Sequence, residues 1–206
     1  MQPTRIAITG FGAFRGESDV AVVENPSRAI AFALEREPPP GVQVVAAELS
    51  VTFERAPREL ERWLAGLDAP PAALLGLGVQ SRGGVYRLER RARARLEGDR
   101  RDNDGRGAGE ATAGLTGDLA TELDLARLAV ALRVGGASDV LCSDDAGGFV
   151  CERVYHALLE RGRSLGVPAV FLHLPTVAQA PIAEQTRIVR ALVIELARLV
   201  APGMPR

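Results

Sequence analysis

Apolar runs of strand length alternate with segments of helical periodicity along this whole chain, and that alternation narrows its possible folds more than any other feature. The runs are "IAIT" (6–9), "VQVVAAELSV" (42–51), "AALLGLGV" (72–79), "SDVLCS" (138–143) and "PAVFLHL" (168–174), with the basic stretch "GVYRLERRARARL" (84–96) also reading as extended. Between them lie "NPSRAIAFALERE" (25–37), with Ser27 as its expected cap, and "ERAPRELERWLAGL" (54–67), whose Leu60, Leu64 and Leu67 form one face. Pro57 falls where a first helical turn tolerates it, and Trp63 borders the apolar face as a packing residue. "ATELDLARLAVALRVGG" (120–136), residues 147–164 and "EQTRIVRALVIELARLV" (184–200) read as three further helices. Strands alternating with helices predict an α/β fold: a three-layer α/β/α sandwich around a largely parallel, twisted central sheet. No repeat or linker divides the 206 residues, so residues 1–206 are expected to form a single domain.

Composition excludes several functional classes. A formal charge of −1 offers no basic surface for nucleic acid or for a membrane. Aromatic content of 4% argues against base-stacking platforms. No window approaches the roughly 20 apolar residues of a membrane span, and the start of the chain lacks the apolar core of a signal peptide. Cys142 and Cys151 are expected to be free thiols on different elements, as in a reduced cytoplasmic protein. His156 and His173 are the sole histidines, and no metal-ligand spacing accompanies them, so no metal is expected.

Three motifs bear on chemistry. "TGFGAFRG" follows a strand, but its glycines at 10, 12 and 16 do not make the dinucleotide fingerprint, and no helix follows at once. A loop leaving a strand end is the better reading, with Phe11 and Phe14 available as an apolar clamp. "DNDGRG" (102–107) lacks the later acidic ligands of a calcium loop and reads as a tight turn. It lies in residues 97–117, a Gly-rich, charged stretch without periodicity, of the kind that is functional or mobile in a compact domain.

"SDDAGGFVCERV" (143–154) places Cys151 early in a helix that Asp145 is positioned to cap. Unpaired N–H groups and the helix dipole favour a thiolate there, while Asp144 and Asp145 oppose it. Cys151 also shares a face with Val154 and Leu158, and this segment alone favours a packing role. His173, at the end of "AVFLH", changes the balance. In a parallel sheet that strand end and the loop entering the Cys151 helix share an edge, so the imidazole could take the thiol proton. An orienting carboxylate would complete the set, and Glu89 is the leading candidate, with a solvated ion pair to its arginine neighbours as the alternative.

Taken in order, "ITGFGAF…NPS", "YRLERRA…RDNDG", "DAGGFVCERV" and "FLHLP" resemble the motifs of pyroglutamyl peptidase type I, the pyrrolidone-carboxylate peptidases, over nearly the whole length. The resemblance implies a cytoplasmic cysteine exopeptidase that removes N-terminal pyroglutamate from peptides without metal or organic cofactor. It further implies assembly as a dimer or tetramer. Cys151 would be the nucleophile, His173 the general acid/base and Glu89 the orienting group. Phe11 and Phe14 would flank the lactam, Asn25 would lie near it, and Phe149 and Val150 would line the apolar pocket.

The departures are local. Asp144 and Asp145 stand where the family commonly has Asn and Ser or Thr. Gly12-Ala13 replaces Glu-Pro, "TVAQA" (176–180) replaces a tyrosine-containing stretch, and Asp99 aligns with an arginine tied to oxyanion stabilisation. Arg100 is adjacent and is the candidate substitute. The segment before Glu89 is one residue short, which brings in Gln80 and Arg82 as matches. Two rival readings follow: a pyroglutamyl-binding protein without turnover, suggested by the Asp pair, and a nucleotide-binding α/β protein, suggested by the first glycines.

Overall fold

The computed structural model describes residues 2–15, 22–23, 25–80, 84–111 and 115–201; Gly16 and Arg82 lie outside them. Strand β1 (Thr4–Phe11) is followed by a small ladder of β2 (Phe14–Arg15) with β3 (Val22–Val23), then helix α1 (Pro26–Arg36) and β4 (Val42–Leu49). Helix α2 (Arg55–Ala65) leads to β5 (Ala73–Val79) and β6 (Tyr86–Glu89). A second small ladder, β7 (Arg91–Ala92) with β8 (Leu119–Ala120), brackets the short helix α3 (Ala108–Ala111). Helix α4 (Leu125–Val134), β9 (Val140–Ser143), α5 (Val150–Leu165), β10 (Ala169–Leu174) and α6 (Ile182–Leu199) complete the order.

The six long strands form one sheet in the order β4-β1-β5-β10-β6-β9. Side chains alternate across it. Ile6, Ile8, Leu75, Leu77, Val170, Leu172 and Leu174 face a core built with α1, α4 and α6. Ala7, Phe11, Leu74, Ala169 and Phe171 face a second core built with α2 and α5. Helices therefore cover both faces, which is why the central strands read as unbroken apolar runs.

Strand direction departs from the expected pattern at one edge. Strands β4, β1, β5 and β10 are mutually parallel, whereas β6 is antiparallel to β10 and carries β9 with it. Only residues 80–85 separate β5 from β6, too few for the crossover that a parallel return needs. The end of β9 therefore does not share an edge with the end of β10. Ser143 sits level with Glu89 and Phe171, and residues 144–149 bring the chain back before α5 begins.

Helix starts differ too. Asn25, not Ser27, caps α1: its Oδ1 accepts from the Ser27 N–H (3.2 Å) and from Ser27 Oγ–H (2.7 Å), with Pro26 in the first turn. Ser27 Oγ is then free to accept from the Phe11 N–H at 2.9 Å. Helix α4 begins at Leu125 rather than at 120: Ala120 pairs in β8, and the Asp124 side chain caps the helix by accepting from the Ala126 and Arg127 N–H groups. Helix α5 begins at Val150, and Asp145 does not cap it; its Oδ1 accepts from the Gly147 N–H at 2.8 Å instead.

The long polar stretch is partly built. Asp102 is buried, and its carboxylate accepts from the N–H groups of Phe53 (2.8 Å), Asp104 (2.9 Å) and Arg106 (2.9 Å), which makes "DNDGRG" a tight turn. Gly10 and Gly12 are used for close packing. A Cβ at Gly10 would lie 2.5 Å from the Ser27 carbonyl, and one at Gly12 would lie 2.4 Å from Glu48 Oε1. The space a dinucleotide phosphate would need beside Gly10 is filled by the start of α1, against the nucleotide-binding reading.

Gly76 lies on the α5 face of the sheet, where a Cβ would be 2.4 Å from the Phe171 ring and 2.6 Å from Leu158 Cδ1. Overpacking of this kind destabilises by about 1–3 kcal/mol. Gly76→Ala should therefore lower the midpoint of urea unfolding, whereas Gly107→Ala, with open space around it, should change it little.

Candidate active site

His173 is the penultimate residue of β10, between Gly78 of β5 and Arg87 of β6. Alternation turns its side chain to the α5 face, the same face as Phe171. Glu89 pairs with Phe171 and so lies one diagonal step from the histidine. That diagonal is within reach of long side chains, and Glu89 Oε1 meets His173 Nδ1 at 2.8 Å. Both groups are buried, Glu89 completely. Tyr155 of α5 donates its hydroxyl to the Glu89 backbone carbonyl at 2.8 Å, tying the end of β6 to the helix.

Cys151 is the second residue of α5, among the N–H groups that lack an intrahelical acceptor. Its sulfur lies over the sheet at Gly78, where an added Cβ would be 3.0 Å from Sγ. Because Gly78 is the register partner of His173, the thiol and the imidazole are neighbours. Burial alone would push the His173 pKa down. Hydrogen bonds and negative charge from Cys151 and Glu89 outweigh it and raise the pKa to about 9. With Nδ1 engaged by Glu89, Nε2 is the nitrogen left for the sulfur.

The thiol and imidazole open into a cavity of about 720 Å³, large enough for a lactam and residues beyond it, whose walls also include Gln80, Arg87, Arg100, Asp145 and Phe149. Arg100 stacks its guanidinium over Phe14 (4.7 Å) and Phe149 (5.0 Å). Phe149 in turn meets Phe14 and Phe53 edge-on, at 5.7 and 5.1 Å. Gln80 is held by the Val85 carbonyl (3.0 Å) and accepts from Arg87 (3.1 Å).

Among the described residues, Phe11, Val150 and Asn25 are not part of this wall. Phe11 packs in the core with its ring centroid 6.5 Å from that of Phe171. Val150 is buried in the same core, and Asn25 is the α1 cap, joined to Phe11 through Ser27. The two acids set against a thiolate are each paired: Asp144 bonds Arg90 at 2.7 Å, and Asp145 bonds Arg93 at 2.6 Å.

Two further residues shape the site, and no sequence motif assigns them a role. Gly78 makes room for the sulfur, and the alternating glycines of "LGLG" were its signal. Arg87 donates to Ser143 Oγ (2.6 Å) and the Asp145 carbonyl (2.8 Å) and lies 3.5 Å from Glu89, a role no spacing rule announces.

Comparison with known proteins agrees with this architecture. The pyroglutamyl peptidase family model matches residues 4–200. A pyrrolidone carboxyl peptidase from the thermophilic keratin-degrading bacterium Fervidobacterium islandicum AW-1 aligns at 25% identity with a TM-score of 0.78, covering 93% of this chain and 97% of that one. Pyroglutamyl peptidase I of Bacillus amyloliquefaciens gives a TM-score of 0.81 at 19% identity, with coverage of 95% and 97%. The pyrrolidone carboxyl peptidase of the hyperthermophile Pyrococcus furiosus gives 0.82 at 20% identity, with coverage of 96% and 100%. At those identities the last two speak for the fold alone. No curated protein sequence matched the chain. With a family match running from β1 to the end of α6, the chain belongs to the pyroglutamyl peptidase family.

Proposed function

We propose that the protein hydrolyses the peptide bond that follows an N-terminal pyroglutamyl residue, with Cys151 as nucleophile, His173 as general acid and base, and Glu89 as the group that orients the imidazole. One observation carries the reading: His173 lies between the Cys151 thiol and the buried Glu89 carboxylate at the wall of a cavity. Family membership supplies the substrate class.

The steps follow from the positions. With the proton shared by Cys151 and His173 already on Nε2, Sγ attacks the pyroglutamyl carbonyl carbon. The oxyanion forms near the start of α5, where the Cys151 N–H has no helical acceptor, and Arg100 is a further donor within the cavity. His173 then gives its proton to the departing amine, which breaks the C–N bond and leaves a pyroglutamyl thioester. Water attacks that thioester while His173 accepts its proton; the C–S bond breaks, pyroglutamate leaves and the proton stays on His173, which restores the starting pair. Glu89 faces Nδ1 throughout and stabilises the imidazolium.

Pyroglutamate is a small uncharged lactam, and the apolar Phe149 with the amide of Gln80 suits such a ring. A free glutamyl terminus would bring an ammonium and a carboxylate, whose desolvation costs more than that of a neutral lactam. We place the protein in the cytoplasm, because both cysteines are free and a thiol nucleophile persists in a reducing compartment. We also propose self-association as a dimer or tetramer, on the family resemblance alone. Among the described residues no helix is long and apolar enough to cross a membrane.

Cys151→Ser and Cys151→Ala should reduce release of aminomethylcoumarin from its pyroglutamyl amide to the uncatalysed rate; retained turnover by the alanine variant would remove the thiol from the mechanism. His173→Ala should lower kcat on the order of 10²- to 10⁴-fold.

The raised histidine pKa also predicts a pH effect on stability. The folded state favours the protonated ring, so its contribution is fully present below about 6.5 and is lost as pH rises through about 9. The excess unfolding free energy of the native protein over His173→Gln should shrink across that window, by on the order of 3 kcal/mol at most. A difference that stays flat from pH 6.5 to 9.5 would contradict a protonated imidazole.

A further inference from the structure

The helix that carries Cys151 starts without a capping side chain: Phe149 occupies the cap position in extended geometry and makes no side-chain cap bond. The start is held another way. Glu152, one residue after the candidate nucleophile, is completely buried, and burial raises its pKa against the bonds it accepts. Its Oε2 reaches back to the Gly148 N–H at 3.1 Å, and its Oε1 accepts from the Arg93 N–H at 2.7 Å. The Arg93 side chain closes on the same carboxylate through Nε (3.3 Å) and Nη2 (3.2 Å).

Arg93 does not stop there. Nη2 also meets Asp145 Oδ1 at 2.6 Å, and Nη1 meets Glu97 Oε1 at 2.9 Å. Asp145 in turn holds the Gly147 N–H, and the Glu97 N–H donates to the Gly148 carbonyl at 2.9 Å. Gly147 and Gly148 both have positive φ, 94° and 67°, and a Cβ at Gly148 would lie 2.6 Å from Glu97 Cγ. One guanidinium, four residues after Glu89, thus ties together both sides of the turn that enters α5. No other part of the proposed reaction uses it.

We infer that Arg93, acting through buried Glu152, is a positioning residue that sets the first turn of α5 and so the placement of the Cys151 sulfur and N–H against His173. The inference rests on the proposed peptidase reading for its rate measurement, but the placement of the sulfur can be measured without it. Arg93 and Glu152 touch neither substrate nor thiol; they act by holding the 145–149 turn in one conformation.

Two variants and two readouts test this. Glu152→Gln keeps the side-chain shape and an acceptor for the Arg93 N–H but cannot accept from both Arg93 and Gly148. Arg93→Lys keeps a charge but loses the planar fork that spans three carboxylates. Each is measured for kcat and KM on the pyroglutamyl coumarin amide and for the rate of Cys151 alkylation by iodoacetamide near neutral pH, alongside its unfolding midpoint. The expected result is a fall in kcat of at least tenfold with KM changed less than threefold, and Cys151 alkylation slowed at least threefold, in protein that still unfolds cooperatively. Should Arg93→Lys fail to fold, Glu152→Gln carries the test. Rates within twofold of the native protein for both measurements would overturn the inference and leave the network a purely structural one. If native protein fails to hydrolyse the amide, the peptidase reading falls, while the alkylation comparison still decides the positioning role.

Discussion

A fully buried carboxylate bonded to a buried imidazole is the interaction on which the rest of this site depends. Taking either ion from water is expensive, and a lone buried charge would be strongly destabilising. Glu89 is tolerable because His173 meets it at 2.8 Å and Arg87 approaches at 3.5 Å. The pair is rigid because both partners stand on adjacent strands of a sheet covered on both faces. A diagonal neighbour in an antiparallel pair has a set distance, so the reversal of β6 against β10 is what makes the contact possible. Had β6 run parallel, the same residues would have met with a different stagger.

The sulfur reaches this pair from the other direction. Helix α5 crosses the sheet with Val154, Tyr155 and Leu158 packed on it, over a strand stripped of side chains at Gly76, beneath Leu158, and at Gly78, beneath Cys151 in the first turn. Tyr155 anchors the helix to the backbone of Glu89 itself, while Arg93, just downstream on the same segment, anchors the turn before the helix. Glu89 and Cys151 are thus referenced to one stretch of chain. The arginine run 90–93 has a corresponding purpose: in sequence it looks like a solvated basic patch, yet in the fold it pairs Asp144, Asp145 and Glu152.

Much of this was legible before the fold. Apolar runs and helical periodicity located the long elements, and the apolar character of 72–79 and 168–174 marked them as buried strands. Boundaries were weaker where polar side chains compete for caps: Ser27 and Asp145 both have the chemistry of an N-cap, and both are engaged by other backbone N–H groups. The candidate site was legible through Cys151, His173 and Glu89, although the edge argument that brought them together assumed a parallel β9. The pocket was less so. Phe149 and Gln80 line the cavity, whereas Phe11 and Val150 are buried in the core beneath it and Asn25 caps α1.

By itself the sequence determined which segments would be strands and helices, that the sheet would be buried on both faces, and which side chains had the chemistry of a thiol–imidazole–carboxylate set. Those properties are local, set by residue type and period over about a dozen positions. The direction of β6 and β9, the clearing at Gly78 and the pairing of each acid with a particular arginine were decided only by tertiary structure. They join residues as much as 84 positions apart, as His173 and Glu89 are, and distances of that kind depend on register and connection length rather than on any neighbouring residue.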